Sequence, residues 1–257
     1  MNEFIEEGWQ GIFEYNQLGS FESLWNLQAD WFEPPNQRRG GWSGVSRIHL
    51  RTPTGEEETI FLKRQENHTR KIWRHPVTGE PTFRGEARNL RLLNSSGIAA
   101  PKMVYYAEKR SPGGWQVILA TRELHGYLPL DRLVQNWWER GWGGFRAQRR
   151  RIILQAADVI RKLHELRLAH NALHAKHVFI HEPSGAACLI DLEKMRRRIT
   201  RRKAMLRDLD TLNRRTATIS RTDRLRFLLA YLQREAVDAE VRMLWYQLTA
   251  LEKRKTL

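Results

Sequence analysis

The sequence predicts an α+β protein whose first half is rich in β-strands and whose second half is mainly helical. In the first half, short runs of alternating apolar and polar residues are separated by turn-forming residues, which is typical of half-buried strands. In the second half, apolar residues recur every three or four positions over a long segment, as in an amphipathic helix. A length of 257 residues suits two small lobes, and 41% hydrophobic beside 28% charged residues is typical of globular proteins.

The predicted strands lie in the first half of the chain. Residues 45–51 largely alternate in polarity, and a turn at residues 53–56 connects them to a second run, which predicts a β-hairpin. A helix is predicted where Ala87 and Leu90 fall on one face, and it ends near Gly97. The predicted order is strand, strand, helix, strand, strand, at residues 45–51, 59–63, 83–93, 103–107 and 115–121.

The second half begins its regular structure with a long helix. Ile152, Ala156 and Val159 follow one another at helical spacing, which predicts a helix over about residues 149–167. A short loop at 170–177 follows this helix. The remaining predictions are short strands at 178–180 and 188–190 and helical sequence from 204 to 251.

These patterns divide the chain into three parts. Residues 1–36 are rich in aromatic and acidic residues and end at Pro34 and Pro35, which break any helix, so they are interpreted as an N-terminal extension. Residues 37–125 are predicted to form a β-rich lobe and residues 126–257 a helical lobe.

The chain is strongly basic. It has 44 Lys and Arg against 29 Asp and Glu, which gives a net charge of +15 and a pI of about 10.5. A shorter basic run lies at residues 146–151, and the densest run is residues 194–207, where eight of fourteen residues are Lys or Arg and none is acidic. Such unbalanced charge indicates an anionic partner, and nucleic acid, an anionic membrane surface and a phosphorylated substrate are the candidates.

Composition also excludes several classes of protein. The single cysteine, Cys188, cannot form an intramolecular disulfide or half of a cysteine-rich zinc site, which favours a reducing compartment. The longest apolar runs are far shorter than the roughly 18–20 residues of a membrane-spanning helix. Glu3, Glu6 and Glu7 stand where a secretory signal would need basic and apolar residues, so we expect a cytoplasmic protein.

A set of residues in a fixed order indicates phosphoryl transfer. Each alone is ordinary, since a glycine-rich turn is common in hairpins and a Lys or Glu is usually solvated. Transfer from ATP needs a backbone loop over the phosphates, a cation on them, an acid that orients the cation, and oxygen or nitrogen ligands for Mg²⁺. In chain order, the sequence offers a glycine segment at 40–45, Lys63, Glu86, the histidines of 170–177, and Asp191.

With these residues in this order, the chain resembles the protein-kinase-like superfamily. Residues 61–63 resemble its lysine strand, residues 170–177 its catalytic loop, and residues 190–193 its metal-binding Asp motif. Over roughly residues 31–229 the chain is similar to the bacterial lipopolysaccharide kinases of the Kdo/WaaP and InaA-like family. The more specific segments of that similarity are residues 39–47, residues 86–90, His177 before residues 178–180, and residues 207–209.

The resemblance implies a two-lobed protein-kinase-like fold, with ATP and Mg²⁺ as cofactors and an inner-core sugar of lipopolysaccharide as phosphate acceptor. It implies nucleotide contacts by Gly40, Gly41, Ser43, Gly44, Lys63, Glu123, Leu124 and His125. It implies catalytic roles for Lys63, Glu86, His170 and Asp191, with His177 and Asp191 as metal ligands. Asp208 resembles the acid that braces the catalytic loop from behind, although it also fits an ordinary acid near a helix start.

The chain departs from the family pattern at the catalytic base. The family's loop carries an Asp that accepts the proton of the attacking hydroxyl, and here that position is Ala172. A positioned base typically contributes about 10²- to 10⁴-fold in rate, so its loss slows the reaction without abolishing it. Two accounts remain: the protein is a pseudokinase or nucleotide-binding regulator, or another group, with His174 the best candidate by position, acts as base.

Aromatic residues beside basic ones give a second indication about partners. Trp137, Trp138, Trp142 and Phe145 lie next to a basic run, which suits a membrane interface, stacking on nucleic acid bases, or simple packing over the helical lobe. No zinc-finger, RNA-recognition or helix-turn-helix signature accompanies them, so nucleic acid is the weaker candidate. We expect an anionic glycolipid substrate and peripheral contact with the cytoplasmic face of the inner membrane. His164 is expected to be a core histidine rather than a metal ligand.

Overall fold

The computed structural model describes residues 2–38, 40–72, 75–214 and 219–254. The chain divides into two compact units. Unit 1 comprises Met1–Leu92 and Pro101–Leu124, and unit 2 comprises Leu93–Ala100 and His125–Leu257. None of the described helices combines the length and the apolar character that crossing a membrane requires.

Unit 1 is built on a six-stranded antiparallel sheet with strand order β1-β7-β8-β4-β3-β2. Its elements are β1 (Asn2–Ile5), α1 (Trp9–Tyr15), α2 (Phe21–Asn26), β2 (Trp31–Arg38), β3 (Gly41–Arg51), β4 (Glu57–Glu66), β5 (Thr69–Ile72), β6 (His75–Pro81), α3 (Thr82–Ser95, whose last residues belong to unit 2), β7 (Met103–Ser111) and β8 (Gly114–Arg122). Strands β5 and β6 form a separate two-stranded ribbon.

The core of unit 1 lies between this sheet and the first two helices. Ile60 and Leu62 of β4 are fully buried, and they belong to one apolar cluster with Phe13 of α1 and Leu24 of α2. The alternation predicted for residues 45–51 is real, because Ile48 and its neighbours two positions away are buried while the residues between them are exposed. The N-terminal helices therefore cover the apolar face that the strands create.

The predicted strands and helix of the first half are all present, at slightly greater lengths. Lys63, expected at the end of its strand, lies within β4, which continues to Glu66. The extended segment expected after Pro34 and Pro35 begins earlier, at Trp31, and is strand β2. Two prolines are compatible with this strand because β2 is at the edge of the sheet, where backbone N–H groups on one side need no partner strand.

Unit 2 is mainly helical, as the sequence predicts. Its elements are β9 (Tyr127–Pro129), α4 (Leu130–Glu139), α5 (Arg146–Glu165), β10 (Leu168–Ala169), β11 (Val178–His181), β12 (Ala187–Leu189), β13 (Arg196–Arg197), α6 (Arg201–Arg214), α7 (Arg221–Leu232) and α8 (Ala239–Arg254), with 3₁₀ turns at Trp142–Phe145, Ala175–His177 and Leu192–Lys194. The face of α5 that carries Ile152, Ala156 and Val159 is buried, which confirms the predicted orientation of this helix.

The prediction of helix from residue 204 to residue 251 is only partly correct. Described residues in this stretch form three helices, α6, α7 and α8, and residues 215–218 lie outside the described part. Helix α7 ends at Gln233, which has left-handed backbone angles (φ 55°, ψ 48°). A left-handed residue after the last turn is a common helix end, and glutamine gives no sequence signal for it in the way glycine does.

Two short strands fix the position of the segment that follows Asp191. Strand β13 pairs with β10, which places Arg196 and Arg197 beside the two residues that precede His170. Strand β11 pairs with both β9 and β12, and it follows directly on the loop 170–177. The loop 170–177 therefore enters β11 beside the point where the Asp191 loop leaves β12, its antiparallel neighbour.

Candidate functional site

In unit 1, the candidate site is centred on an ion pair between Lys63 and Glu86. Lys63 lies on β4 between Val45 of β3 and Leu119 of β8, so strands on both sides hold its backbone. Its Nζ donates a hydrogen bond of 2.6 Å to Oε1 of Glu86, which α3 supplies. Glu86 is 3% exposed, and a buried carboxylate needs a compensating charge, which Lys63 provides. The structure thus forms the pair that the sequence indicated.

The glycine segment of unit 1 is a hairpin turn followed by strand. Gly40 stands between β2 and β3 with φ 76°, a conformation that favours glycine, and Arg39 lies outside the described residues. Gly41, Ser43 and Gly44 belong to β3, where Ser43 and Gly44 pair with β4 and Gly41 pairs with Arg38 of β2. A Cβ on Gly41 would lie 2.2 Å from the carbonyl oxygen of Glu66, so the close approach of two backbones requires glycine there.

The predicted hinge residues lie where the chain passes from unit 1 to unit 2. Glu123 accepts two hydrogen bonds of 2.9 Å from the guanidinium of Arg47, and its backbone N–H donates to the carbonyl of Thr59. The hydrogen bond to Glu123 raises the pKa of Arg47. Leu124 is the last residue of unit 1 and His125 the first of the continuing part of unit 2. The side chain of Glu123 therefore binds Arg47 within unit 1, and its backbone N–H extends the pairing of β8 with β4 by one hydrogen bond.

In unit 2, His170 joins the loop 170–177 to the loop that carries Asp191. Its Nε2 donates to the carbonyl of Ile190 at 2.8 Å, because a carbonyl can only accept. Burial of His170 lowers the pKa of its imidazole. Nδ1 is also buried, without a hydrogen-bond partner among the described residues. His170 is therefore a neutral imidazole whose proton is on Nε2.

His177 and Asp191 face each other across these two loops. Nδ1 of His177 donates to the carbonyl of Ala172 at 2.8 Å, and its Nε2 lies 3.3 Å from Oδ2 of Asp191. The backbone N–H of Ile190 donates to the carbonyl of His177 and ties the loops together. Asp191 has left-handed backbone angles (φ 57°, ψ 60°), and its side chain is 40% exposed. Two electron-pair donors at this distance are stabilised by a cation that both contact.

The Asp208 side chain accepts hydrogen bonds from the backbone at the start of the loop 170–177. Its side chain on α6 is fully buried and accepts the backbone N–H groups of His170 at 2.5 Å and Asn171 at 2.8 Å. Two charge-assisted hydrogen bonds to consecutive amides fix the direction of the chain at this point, where Asn171 has a φ of 63°. The bracing position implied by the resemblance is thus occupied by a carboxylate in contact with the loop.

Two residues behind Asp208 were not predicted as part of the site. His164 of α5 has Nε2 3.2 Å from Oδ2 of Asp208, and its Nδ1 lies 2.9 Å from the hydroxyl of Tyr231 on α7. The expectation that His164 is a core histidine is confirmed, since it is fully buried. A sequence signal for its burial exists: His164 lies four residues after Ile160 and seven after Ala157, on the buried face of the helix.

The position of the missing base is filled by the methyl group of Ala172. Ala172 is 4% exposed, and its carbonyl accepts from both the His177 ring and the His174 backbone. His174 is half-buried, and its ring lies edge-on to that of His177 with centroids 5.4 Å apart. No carboxylate lies between Asn171 and His177. His174 is therefore the titratable side chain of the loop that the structure places beside the candidate metal ligands.

A metal ion at this site would take few ligands from the protein. Within the described ranges, no group of three or more His, Cys, Asp and Glu side chains could hold a metal. The pair of His177 and Asp191 suits Mg²⁺ bound to a nucleotide, because that ion usually keeps several waters and takes one or two protein ligands beside phosphate oxygens. Buried Cys188 on β12 is not a further ligand, since burial raises the pKa of its thiol to about 12.

Unit 2 also contains an apolar cavity of about 300 Å³ between its helices. Its walls include Trp137 of α4, Ile152 of α5, Phe227 of α7 and Trp245 of α8. The cavity is separate from the polar cluster, because its lining includes none of the residues of the loop 170–177 and not Asp191.

Comparison with known proteins places the chain in a family. The sequence profile of the lipopolysaccharide kinase (Kdo/WaaP) family matches residues 22–231. The chain belongs to this family. Its relatives in the family include Protein InaA of Escherichia coli (strain K12), which is 28% identical over 206 residues, 79% of this chain and 91% of InaA. The lipopolysaccharide kinase resemblance predicted from the sequence is thus confirmed.

The fold of this lipopolysaccharide kinase family member matches a solved structure of WaaP in complex with acyl carrier protein. The TM-score is 0.69, the sequences are 23% identical, and the alignment covers 99% of this chain and 98% of that chain. The match confirms the predicted α+β, protein-kinase-like fold, with a β-rich first part and a helical second part.

Proposed function

We propose that this protein transfers the γ-phosphate of ATP to a hydroxyl group of a sugar in the inner core of lipopolysaccharide. The Lys63–Glu86 ion pair carries the proposal within the chain. A lysine held at 2.6 Å by a buried carboxylate is a fixed cation on the face of a sheet, and phosphoryl transfer depends mainly on fixed charges that stabilise the phosphates. Family membership supports a lipopolysaccharide acceptor.

Residues are assigned to the nucleotide in unit 1 and at its junction with unit 2, and to the metal ion in unit 2. Gly40, Gly41, Ser43, Gly44 and Lys63 would contact the phosphates, and the backbone of residues 123–125 would contact the base. His177 and Asp191 would hold Mg²⁺, which supplies positive charge to the phosphates when bound. Within the chain, the Ala172 carbonyl orients His177, and His170 and Asp208 keep the two loops in place.

Ala172 supports a second candidate function. With a methyl group where the catalytic carboxylate would stand, a nucleotide-binding pseudokinase or regulator is the alternative to an enzyme. In the enzyme, His174 would accept the proton of the attacking hydroxyl, since it is the titratable side chain beside His177. The two candidates differ in phosphotransfer and not in nucleotide binding.

The acceptor determines where the protein works. Lipopolysaccharide precursors are anchored in a bilayer, and the net charge of +15 favours contact with anionic lipid. We therefore place the protein in the cytoplasm, peripherally bound to the inner membrane.

The test is transfer of labelled γ-phosphate from Mg-ATP to core lipopolysaccharide, with nucleotide binding measured on the same samples. Asp191→Ala is expected to abolish transfer, whereas Asp30→Ala, which removes an exposed carboxylate from unit 1, is expected to leave it unchanged. Transfer by the wild type that Asp191→Ala does not reduce would contradict the proposed site.

Variants of the loop separate the enzyme from the pseudokinase. If His174 is the base, His174→Ala lowers the rate by about 10²-fold or more while nucleotide affinity stays the same. Nucleotide binding without transfer in the wild type, with transfer appearing in Ala172→Asp, would establish the pseudokinase. A wild type that binds no nucleotide would overturn both candidates.

A further inference from the structure

The positive charge of the chain is concentrated in one segment. Residues 194–207, which we call the basic segment, contain eight Lys or Arg and no acid, so they contribute +8 of the net +15. The other 243 residues together contribute +7. The basic segment includes β13 and the first half of α6.

Six of the eight cations of the basic segment are exposed. No ion pair with a carboxylate of the described ranges is formed by its exposed members, which are Lys194, Arg197, Arg201, Arg202, Lys203 and Arg207. Some arginines elsewhere in unit 2 are neutralised: Arg149 pairs with Asp223, and Arg161 pairs with two acids on its own helix. These six cations are thus not compensated by a carboxylate of the described residues, and an anionic partner from outside the chain would neutralise them.

The position of these charges disfavours the folded state. Arg201, Arg202 and Lys203 form the first turn of α6, which has no acidic residue. The N-terminal end of a helix carries the positive end of the helix dipole, so cations there are unfavourable, and like charges one turn or less apart repel each other. An anionic partner would reverse the sign of both effects.

An apolar side chain stands in the middle of the basic segment. Ile199 connects β13 to α6 and is 78% exposed, the highest value among the large hydrophobic side chains of the described residues. The segment around it is held in place: the backbone N–H of Arg198 donates to the carbonyl of Arg167, and Asn171 donates to the carbonyl of Lys194 at 2.8 Å. A fixed, exposed isoleucine among cations matches the interface of a bilayer, where phosphates lie above an apolar layer.

We propose that the basic segment is the surface by which this protein docks on an anionic lipid bilayer, with Ile199 inserted between headgroups and the cations against lipid phosphates. The inference rests on the proposed peripheral location and not on phosphotransfer. Nucleic acid is the weaker partner for this segment, because residues 194–207 include no aromatic side chain on which bases could stack. Asn171 links the segment to the loop 170–177, so docking would bring that loop to the lipid surface.

The aromatic cluster of residues 137–145 is the rival surface: Trp138 is 52% exposed, and the other rings are partly or fully buried. Trp137 is 5% exposed, and Trp142 packs against Trp137 and Trp138 and lies over the guanidinium of Arg149. These contacts favour packing over the helical unit. The cluster therefore provides a matched comparison for the experiment.

The test is co-sedimentation of the full chain, without nucleotide, with vesicles of phosphatidylcholine alone or mixed with phosphatidylglycerol, at about 0.1 M salt. We expect binding only to the anionic vesicles. A basic residue near such a surface contributes about fivefold in affinity, so the triple variant Arg197→Gln/Arg202→Gln/Lys203→Gln should bind at least tenfold more weakly. Ile199→Ser should bind roughly five- to tenfold more weakly.

Two matched controls remove the same groups elsewhere. Arg140→Gln/Arg146→Gln/Arg150→Gln takes three charges from the aromatic cluster, and Leu154→Ser removes an exposed aliphatic side chain from α5. Both should bind as the wild type does, apart from a small common effect of net charge. The basic-segment triple variant should be at least as stable as the wild type, because the charges that it removes disfavour folding.

Several results would overturn the proposal. These are equal binding to neutral and anionic vesicles, an equal loss in the Arg140/Arg146/Arg150 triple variant, no effect of Ile199→Ser, or tighter binding to a single-stranded oligonucleotide that competes with vesicles. Phosphotransfer to a delipidated core oligosaccharide should be unchanged in the basic-segment triple variant. If the wild type shows no phosphotransfer to this oligosaccharide, that result would count against the proposed function and leave the docking result valid.

Discussion

The hydrogen bond and the burial of the His170 ring both depend on its neutral form. Its Nε2–H donates to the carbonyl next to Asp191, and the rest of the ring is buried without further partners among the described residues. Burial lowers its pKa more strongly than the nearby negative charge of Asp208 raises it. A proton added to Nδ1 would have no acceptor. The folded protein therefore resists protonation of His170, and the unfolded chain does not.

This difference predicts how stability depends on pH. The unfolded histidine binds its proton at about pH 6.5, so below that pH the unfolded state holds more protons than the folded state. The free energy of unfolding therefore decreases as the pH is lowered. Between pH 6.5 and 5.5 the wild type should lose about 1 kcal/mol more than His170→Gln. Urea denaturation at a series of pH values measures this. Parallel pH profiles for the two proteins would contradict the buried neutral imidazole.

Site residues were predictable from the sequence where their contacts are local or where they occur in a known order along the chain. Residues whose role depends on packing between distant segments were missed. Lys63, Glu86 and Asp191 were identified by their order along the chain, and the pairing of the first two is present in the structure. Tyr231 was not identified, because its partner His164 lies 67 residues earlier and no pattern joins them. Burial of a polar side chain through tertiary contacts leaves no local signal.

At the scale of elements, strands were predictable where one face is buried and the other exposed. Strands β3, β7 and β8 have this alternation or a continuous apolar run, and they were found. Strands β10 and β13 have two residues each and exist only because they pair with one another across the fold. Helices α7 and α8 were predicted as one helix because helical periodicity alone does not show where a chain reverses.

The β2–β3 turn gives a prediction at this scale. Gly41 lies against the backbone of β4, where a Cβ would be 2.2 Å from the carbonyl oxygen of Glu66. Gly41→Ala should therefore lower the free energy of unfolding by about 1–3 kcal/mol, because strands β3 and β4 would have to separate. Gly143→Ala, where the added atom would contact nothing within 4 Å, should cause no loss.

Urea denaturation of both glycine variants gives the comparison. If Gly41→Ala is as stable as the wild type but binds nucleotide more weakly, then this glycine serves the phosphates and not strand packing. If both variants lose the same stability, the close approach of β3 and β4 is not the cause.

For the whole molecule, the distribution of charge matters more than the total. Several arginines outside the basic segment have a carboxylate partner, as Arg84 has in Glu108 and Arg88 in Glu80, so these pairs add little to long-range repulsion. The basic segment adds +8 with no acid of its own, and its six exposed cations form no ion pair with a described carboxylate. The sequence indicated this excess correctly, since no acid lies in residues 194–207. It did not indicate that the cations surround an exposed isoleucine just before the first turn of α6.

Salt should therefore stabilise this protein, chiefly through the basic segment. Each cation in the first turn of a helix costs about 0.3–1 kcal/mol at low ionic strength, and salt screens this cost as the Debye length falls to about 10 Å at 0.1 M. At low salt, Arg197→Gln/Arg202→Gln/Lys203→Gln should melt about 2–4 °C above the wild type, and the difference should shrink as salt is added. Lys102→Gln, which removes an exposed charge outside any helix, should show no such difference.

Thermal unfolding followed by circular dichroism at several salt concentrations measures the difference in melting temperature. A triple variant that melts below the wild type at low salt would mean that the cations are stabilised by contacts within the protein, and the argument for an external anionic partner would lose its basis.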